Sequence, residues 1–206
     1  MPEERIDPAG LKIHPLTPAR WDDFEALFGS RGACAGCWCM YWRMSRSDFH
    51  LMSGEGNHTA MRALVESGET PGLLAYADGV SSTGDCPVGW VSLGPREDYP
   101  TLQRSRILRP VDDRPVWSLV CFFVDRQHRR QGVTGALIRA ALAFAAEKGA
   151  GILEAYPVDP QGKPYADVFA YTGLASSFFA AGFVEVARNS PKRPILRYFL
   201  SQAAES

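Results

Sequence analysis

No run of about eighteen apolar residues occurs in this 206-residue chain, so no transmembrane helix is expected. The opening MPEERIDPAG lacks the apolar stretch that heads a secreted protein, and a cytoplasmic location is expected. Neither sign of charge dominates. The 22 Lys and Arg against 23 Asp and Glu leave a net charge of −1, which points away from nucleic acid and from membrane surfaces. The five cysteines are an odd number for a closed set of disulfides, and they are expected to be reduced. Internal repeats and dividing linkers are also missing, so 1–206 reads as one domain with a core over about 11–200.

Two nucleotide motifs are absent as well: no Gly-Lys-Ser/Thr loop and no G-x-G-x-x-G. What stands in their place is Val120–Gly149, VCFFVDRQHRRQGVTGALIRAALAFAAEKG. Val116–Val124 is nearly all apolar or aromatic and reads as a buried strand. A basic turn, Asp125 to Gln131, follows it. Gly132 and Gly135 then open a helix whose Leu137, Ile138, Ala141, Leu142 and Ala145 share one face, and Gly149 closes it. A helix N-terminus has unpartnered amides and a favourable dipole, and Gly132 lets backbone approach a ligand closely. With Arg129 and Arg130 beside it, the turn is an expected phosphate or pyrophosphate site.

The rest of the chain supplies a framework. Strands are expected at Leu11–Leu16, Leu73–Ala77, Val88–Leu93, Ile152–Tyr156, Phe183–Ala187 and Ile195–Leu200. Helices are expected at Ala19–Phe28, Asn57–Glu66 and Phe169–Ala181, with a short one within Pro95–Arg109. Asp78–Pro87 reads as a long hairpin loop, and Ser201–Ser206 as a frayed tail. This order predicts an α/β fold, a mixed sheet with helices on both faces.

One stretch fits no simple pattern: Cys34, Cys37 and Cys39 beside Trp38, Tyr41 and Trp42. Three thiols suggest a metal site, with His50 or His58 as the nearest fourth ligand, but no second cysteine pair follows and no metal is expected. A buried thiol-and-aromatic patch, or a redox-sensitive or substrate-facing loop, remains open.

The turn Arg129-Arg130-Gln131-Gly132-Val133-Thr134 resembles the acetyl-CoA loop of the GNAT N-acetyltransferases, Q/R-x-x-G-x-G/A, with Thr134 departing at the last position. The element order matches that family from Leu11 to Leu200. PGLLAY, VGWVSLGPR, CFFV, EAYPVD and AGF further resemble one bacterial branch of it, a resemblance that names no acceptor. The resemblance implies the GNAT acyl-CoA N-acyltransferase fold, mostly antiparallel, with acetyl-CoA as cosubstrate and a primary amine as acceptor. It assigns the cofactor to Arg129, Arg130, Gln131, Gly132, Val133, Thr134 and Gly135. It also assigns the backbone of Phe122, Phe123 and Val124 to the pantetheine arm and the thioester oxygen. A homodimer stays open.

Transfer to an amine further needs a base for the amine and an acid for the departing thiolate. The family's tyrosine position falls on Phe178, which cannot donate a proton. Tyr171 is then the expected acid, ahead of Tyr165 and Tyr156. Glu154, a carboxylate inside an apolar strand, is the expected base, with Asp159 second and His128 assigned to the phosphate loop and solvent. Two rivals follow from the departures: a non-catalytic acyl-CoA-binding module, and a metal- or redox-responsive regulator built on this fold.

Overall fold

The computed structural model describes residues 10–81, 84–162, 165 and 169–200. The tail read as frayed lies outside them. In chain order the elements are β1 (Lys12–Pro15), α1 (Trp21–Phe28), α2 (Arg46–Leu51), α3 (Glu55–Glu66), β2 (Gly72–Ser81), β3 (Gly84–Pro95) and α4 (Pro100–Gln103). They continue with β4 (Trp117–Val124), α5 (Val133–Glu147), β5 (Ile152–Ala155), α6 (Ala175–Ala180), β6 (Val184–Arg188) and β7 (Pro194–Phe199). The strands form one seven-stranded sheet in the order β1-β2-β3-β4-β5-β7-β6. Every neighbouring pair is antiparallel except β4 with β5.

Both faces of the sheet are covered, which is why its central strands read as continuous apolar runs. Phe24 of α1 and Met61 of α3 pack with Trp90 on one face; Leu137 of α5 and Phe178 of α6 pack with Val91 on the other. Gly89 sets how closely α5 can lie on β3, because a Cβ there would stand 2.7 Å from Val133 Cγ1. Among the described residues no helix is long and apolar enough to cross a membrane.

Two expectations change. Ser81 pairs with Gly84, so β2 and β3 continue through most of the stretch read as a long loop. Gly, Ser and Asp there disguise the strands, because an antiparallel hairpin can extend beyond the core without apolar residues. The expected helix Phe169–Ala181 shrinks to α6. Gly173 turns the chain at φ 80°, and Val158 and Leu174 bridge in parallel, so the segment before Ala175 is held extended.

Candidate functional site

The basic turn takes the expected shape. Asp125 accepts a hydrogen bond from the Gln127 amide at 2.9 Å and starts a single tight turn. Arg129 Nε donates to the Val124 carbonyl at 3.1 Å, and Gln131 Nε2 to the Gln127 carbonyl at 2.7 Å. Gly132 lies at φ 82° and caps α5, its carbonyl accepting from the Ala136 amide at 3.0 Å. That leaves the amides of Val133, Thr134 and Gly135 without partners inside the helix, at its positive end. The Val133 side chain is core; only its backbone faces the loop. His128 is not solvent-facing as expected. It is buried, with Nδ1 3.0 Å from Asp125 Oδ1.

Beside this turn β4 loses its neighbour. It pairs with β5 only from Trp117 to Leu119, opposite Leu153 to Ala155. Beyond that point the edge of β4 is open, and the Phe122 amide donates instead to the Tyr171 carbonyl at 2.6 Å. Backbone direction alternates along a strand, so Val124 faces this same edge while Phe123 faces β3 opposite Trp90. Of the three amides expected to serve the thioester, the Phe123 amide is therefore turned away.

A cavity of about 1200 Å³ runs along this edge. Its walls include Arg129 to Gly135 apart from Gln131, the open edge of β4, Tyr41 and Tyr171, and the thiols of Cys34, Cys37, Cys39 and Cys121. The register shift between Ser92 and Leu93 makes Val120 an extra residue in β4, so Val120 and Cys121 both turn to the α1 face. That phase change brings Cys121 Sγ to 3.7 Å from Cys39 Sγ.

The cysteine loop is tightly constructed. Ala33, Ala35, Trp38 and Cys39 all have positive φ, an unfavourable conformation for residues with a Cβ. The loop is held by Asn57 Nδ2 donating to the Gly36 carbonyl at 3.0 Å and by Trp38 stacked on Phe28 with centroids 5.8 Å apart. At Gly36 a Cβ would stand 2.5 Å from the Gly54 nitrogen. All five cysteines are free thiols. Cys37, which contacts the Gly32 carbonyl at 3.4 Å, has its pKa lowered to about 6, chiefly by the Cys39 thiol hydrogen-bonding to it against the opposing effect of burial. Cys39 moves the other way, raised by burial and then by Cys121 and Cys37. Among the described residues no group of three or more His, Cys, Asp or Glu is arranged to hold a metal ion.

The expected acid and base part company. Tyr171 lines the cavity, its ring 5.7 Å from that of Tyr41, and burial followed by the Tyr41 phenol raises its pKa. Glu154 does not reach the cavity. It is fully buried, accepting from Arg96 Nη1 at 2.8 Å, Arg197 Nε at 2.7 Å and the Tyr156 hydroxyl at 2.6 Å. Both oxygens are committed to ion pairs, so the base expected at Glu154 is corrected to a structural anion. Asp159 is likewise engaged by Arg188 at 2.9 Å, and Tyr156 is sealed in the Glu154 cluster. Phe178 is core, stacked edge-on against Phe122 and Phe183. Sequence reasoning missed Cys121 as a cavity residue; of Trp38, Tyr41 and Trp42, the aromatics of the loop left open as substrate-facing, Tyr41 lines the cavity. The only signal for Cys121 is a cysteine in a strand of larger apolar residues.

Residues 36–169 match the family model described as the acetyltransferase (GNAT) family. No curated protein matches the chain by sequence. Among solved structures it is similar to a histone acetyltransferase HPA2 and related acetyltransferase from Corynebacterium glutamicum, at 14% identity and TM-score 0.52 over 95% of this chain and 99% of that one. A ribosomal-protein-S5-alanine acetyltransferase from Vibrio fischeri gives 13% and 0.52 over 93% and 94%. A paia N-acetyltransferase from Thermoplasma acidophilum, in complex with coenzyme A, gives 12% and 0.50 over 92% and 98%. At these identities the likeness is one of fold.

Proposed function

The chain belongs to the GNAT acetyltransferase family, and we propose that it moves an acetyl group from acetyl-CoA to a primary amine on a small molecule or a protein. The observation that carries this reading is one continuous cavity joining the head of α5, the open edge of β4 and Tyr171. In this reading the amides of Val133, Thr134 and Gly135 hold the pyrophosphate, with Arg129 and Arg130 supplying charge. The open β4 edge holds the pantetheine arm, and the Val124 backbone amide donates to the thioester oxygen as it gains charge, the Phe122 amide being held by the Tyr171 carbonyl. Tyr171 protonates the departing thiolate. Burial raises its pKa, which makes it a weaker acid than a free phenol, so its part in the step rests on its place in the cavity wall.

The test is CoA affinity. Gly132→Glu puts a side chain and a negative charge at the head of α5, and binding should weaken by at least about 2 kcal/mol, roughly thirtyfold, in calorimetry. Gly132→Ala carries the same backbone strain without the charge and separates the two effects. Unchanged affinity in a folded Gly132→Glu protein would falsify the assignment.

A further inference from the structure

The cavity reaches from one face of the sheet to the other, and its two ends differ in chemistry. The arginines of its wall, Arg129, Arg130 and Arg139, stand on the basic turn and on α5. Past the open edge of β4 it reaches the α1 face, where Ala33, Cys37, Tyr41, Phe49, Cys121 and Tyr171 line it. With the cofactor at the first end, the second is left for the acceptor. That end is built of methyls, thiols and rings. Tyr41 stands edge-on to both of the other rings, its centroid 5.3 Å from that of Phe49 and 5.7 Å from that of Tyr171. A further aryl ring can extend such a T-shaped arrangement.

The charge beside that end is positive. Arg46 lies over Tyr41, its guanidinium carbon 5.9 Å from the ring centroid, and donates to the Tyr41 hydroxyl at 3.2 Å. Arg193 donates at 2.9 Å to the hydroxyl of Thr172, which follows Tyr171 in the chain. The chain's own arginine thus takes up the attraction of the Tyr41 ring for a cation, and an incoming ammonium would sit beside two guanidinium groups. The carboxylates that the sequence offers as bases are committed elsewhere, Glu154 to Arg96 and Arg197, and Asp159 to Arg188.

We propose that the acceptor is an aryl amine, a weakly basic nitrogen on an apolar aromatic body. The inference rests on the acetyl-CoA reading above and narrows its acceptor. An aryl amine shares its lone pair with its ring and is neutral throughout the neutral range. It therefore enters the aromatic end with no proton to lose first and brings no charge into apolar surroundings. Its ring packs against Tyr41 and Phe49. Its nitrogen bonds to the acetyl carbon, the carbon–sulfur bond of CoA breaks, and the electron pair leaves on sulfur, which takes a proton from Tyr171. The nitrogen sheds its extra proton to water, and Tyr171 regains one from solvent. A protonated amide nitrogen is a strong acid, so water suffices as the base. An alkyl amine with a lysine-like pKa of about 10.4 is neutral in only about one molecule in 2,500 at pH 7, and it would need the base that Glu154 does not supply.

The experiment gives the full chain acetyl-CoA with aniline, with cyclohexylamine, or with a short apolar peptide bearing a free α-amine. CoA release is followed from about pH 6.5 to about pH 8.5, and the acetylated product is identified by mass. Aniline and cyclohexylamine are close in size and differ chiefly in basicity. At pH 7 kcat/KM for aniline should exceed that for cyclohexylamine roughly tenfold or more, because the neutral fraction outweighs the weaker nucleophilicity of the aryl nitrogen. The aniline rate should stay flat across the range, while the cyclohexylamine rate rises about tenfold per pH unit. Phe49→Leu, which keeps an apolar side chain but removes the ring, should raise KM for aniline roughly fivefold with CoA affinity unchanged. An unchanged KM would remove the ring contact and with it the assignment. Cyclohexylamine acetylated as well as aniline at pH 7 would reveal a base in the site and overturn the inference. So would a peptide accepted ahead of both, and either result spares the acetyl-CoA reading. Acetyl-CoA bound with aniline left unacetylated also overturns the inference. Failure to bind CoA at all overturns both. The comparison of amines is made on wild-type protein and requires no variant to fold.

Discussion

Two buried polar clusters lie on either side of the β4–β5 junction, and they are built in opposite ways. In one, Glu154 is surrounded by Arg96, Arg197 and Tyr156, the last also joined to Ser118 at 2.8 Å. In the other, Cys39 and Cys121 share one long, weak contact, Cys37 meets the Gly32 carbonyl, and all three line the cavity beside Tyr171. Each cluster contains a tyrosine whose pKa is raised chiefly by burial. Only one of those phenols can meet a substrate. A buried charge is therefore a poor sign of chemistry on its own; what matters is whether its partners leave it anything to do. The first cluster fastens β5 and β7 to the end of β3 and to the segment around Asp112. The second has free capacity exactly where a ligand has room, and the open β4 edge gives it that room.

The contrast breaks most sharply at Glu154. Glu154→Gln removes the anion between two arginines that are 6% and 1% exposed, leaving both charges buried with no carboxylate between them. Urea unfolding should record a loss of about 3–5 kcal/mol, the usual consequence of breaking a buried ion pair from one side. CoA affinity of the folded fraction should be little changed. A variant of wild-type stability that has lost only turnover would return Glu154 to the chemistry and dissolve the contrast.

Tyr171 tests the open cluster. Tyr171→Phe keeps the ring against Tyr41 and the backbone carbonyl that receives the Phe122 amide. Turnover should fall roughly 10²-fold, about 2.7 kcal/mol in barrier, with CoA binding nearly intact. Tyr156→Phe is the matching change in the closed cluster and should do the reverse, lowering the urea midpoint while turnover per folded molecule holds. If the two variants behave alike, accessibility is not what separates these phenols.

The sequence carried the strand, basic turn and helix of the cofactor site because all their signals are local. The apolar run stops at Val124, Gly132 breaks the turn, and period-3.6 spacing begins at once. The catalytic side of the site was harder to read because its determinants are not local. Glu154 looked available because its partners, Arg96 and Arg197, lie 58 and 43 residues away. Cys121 looked like a strand residue of no particular direction because the bulge at Val120 shifts the alternation, and nothing in the residues of β4 announces a bulge. Tyr171 was identified as a candidate but placed on a helix. The Thr172-Gly173 turn and the Val158–Leu174 bridge decide otherwise, and the bridge is again a long-range contact.

The smallest expected effect sharpens the comparison at the closed cluster's outer rim. Asp112 grips Arg197 with both oxygens, at 2.7 and 3.1 Å, and accepts from Arg114 Nη2 at 2.7 Å. Its side chain is 32% exposed, so solvent screens these pairs and their contribution is modest. Arg197 first, then Arg114, holds its carboxyl well below the usual carboxylate range. The folded-state pKa is thus depressed relative to the unfolded one. The associated stability is complete above the unfolded value near about 4 and is lost as pH falls through the folded value. Asp112→Asn should lower the urea midpoint slightly at neutral pH, by much less than Glu154→Gln. The gap from wild type should close as acid protonates Asp112 in the parent. A gap that stayed constant through that acid range would mean the ion pair contributes nothing and the effect is one of shape. A neutral-pH loss as large as that of Glu154→Gln would mean the cluster is not closed at Glu154 but depends on its exposed rim.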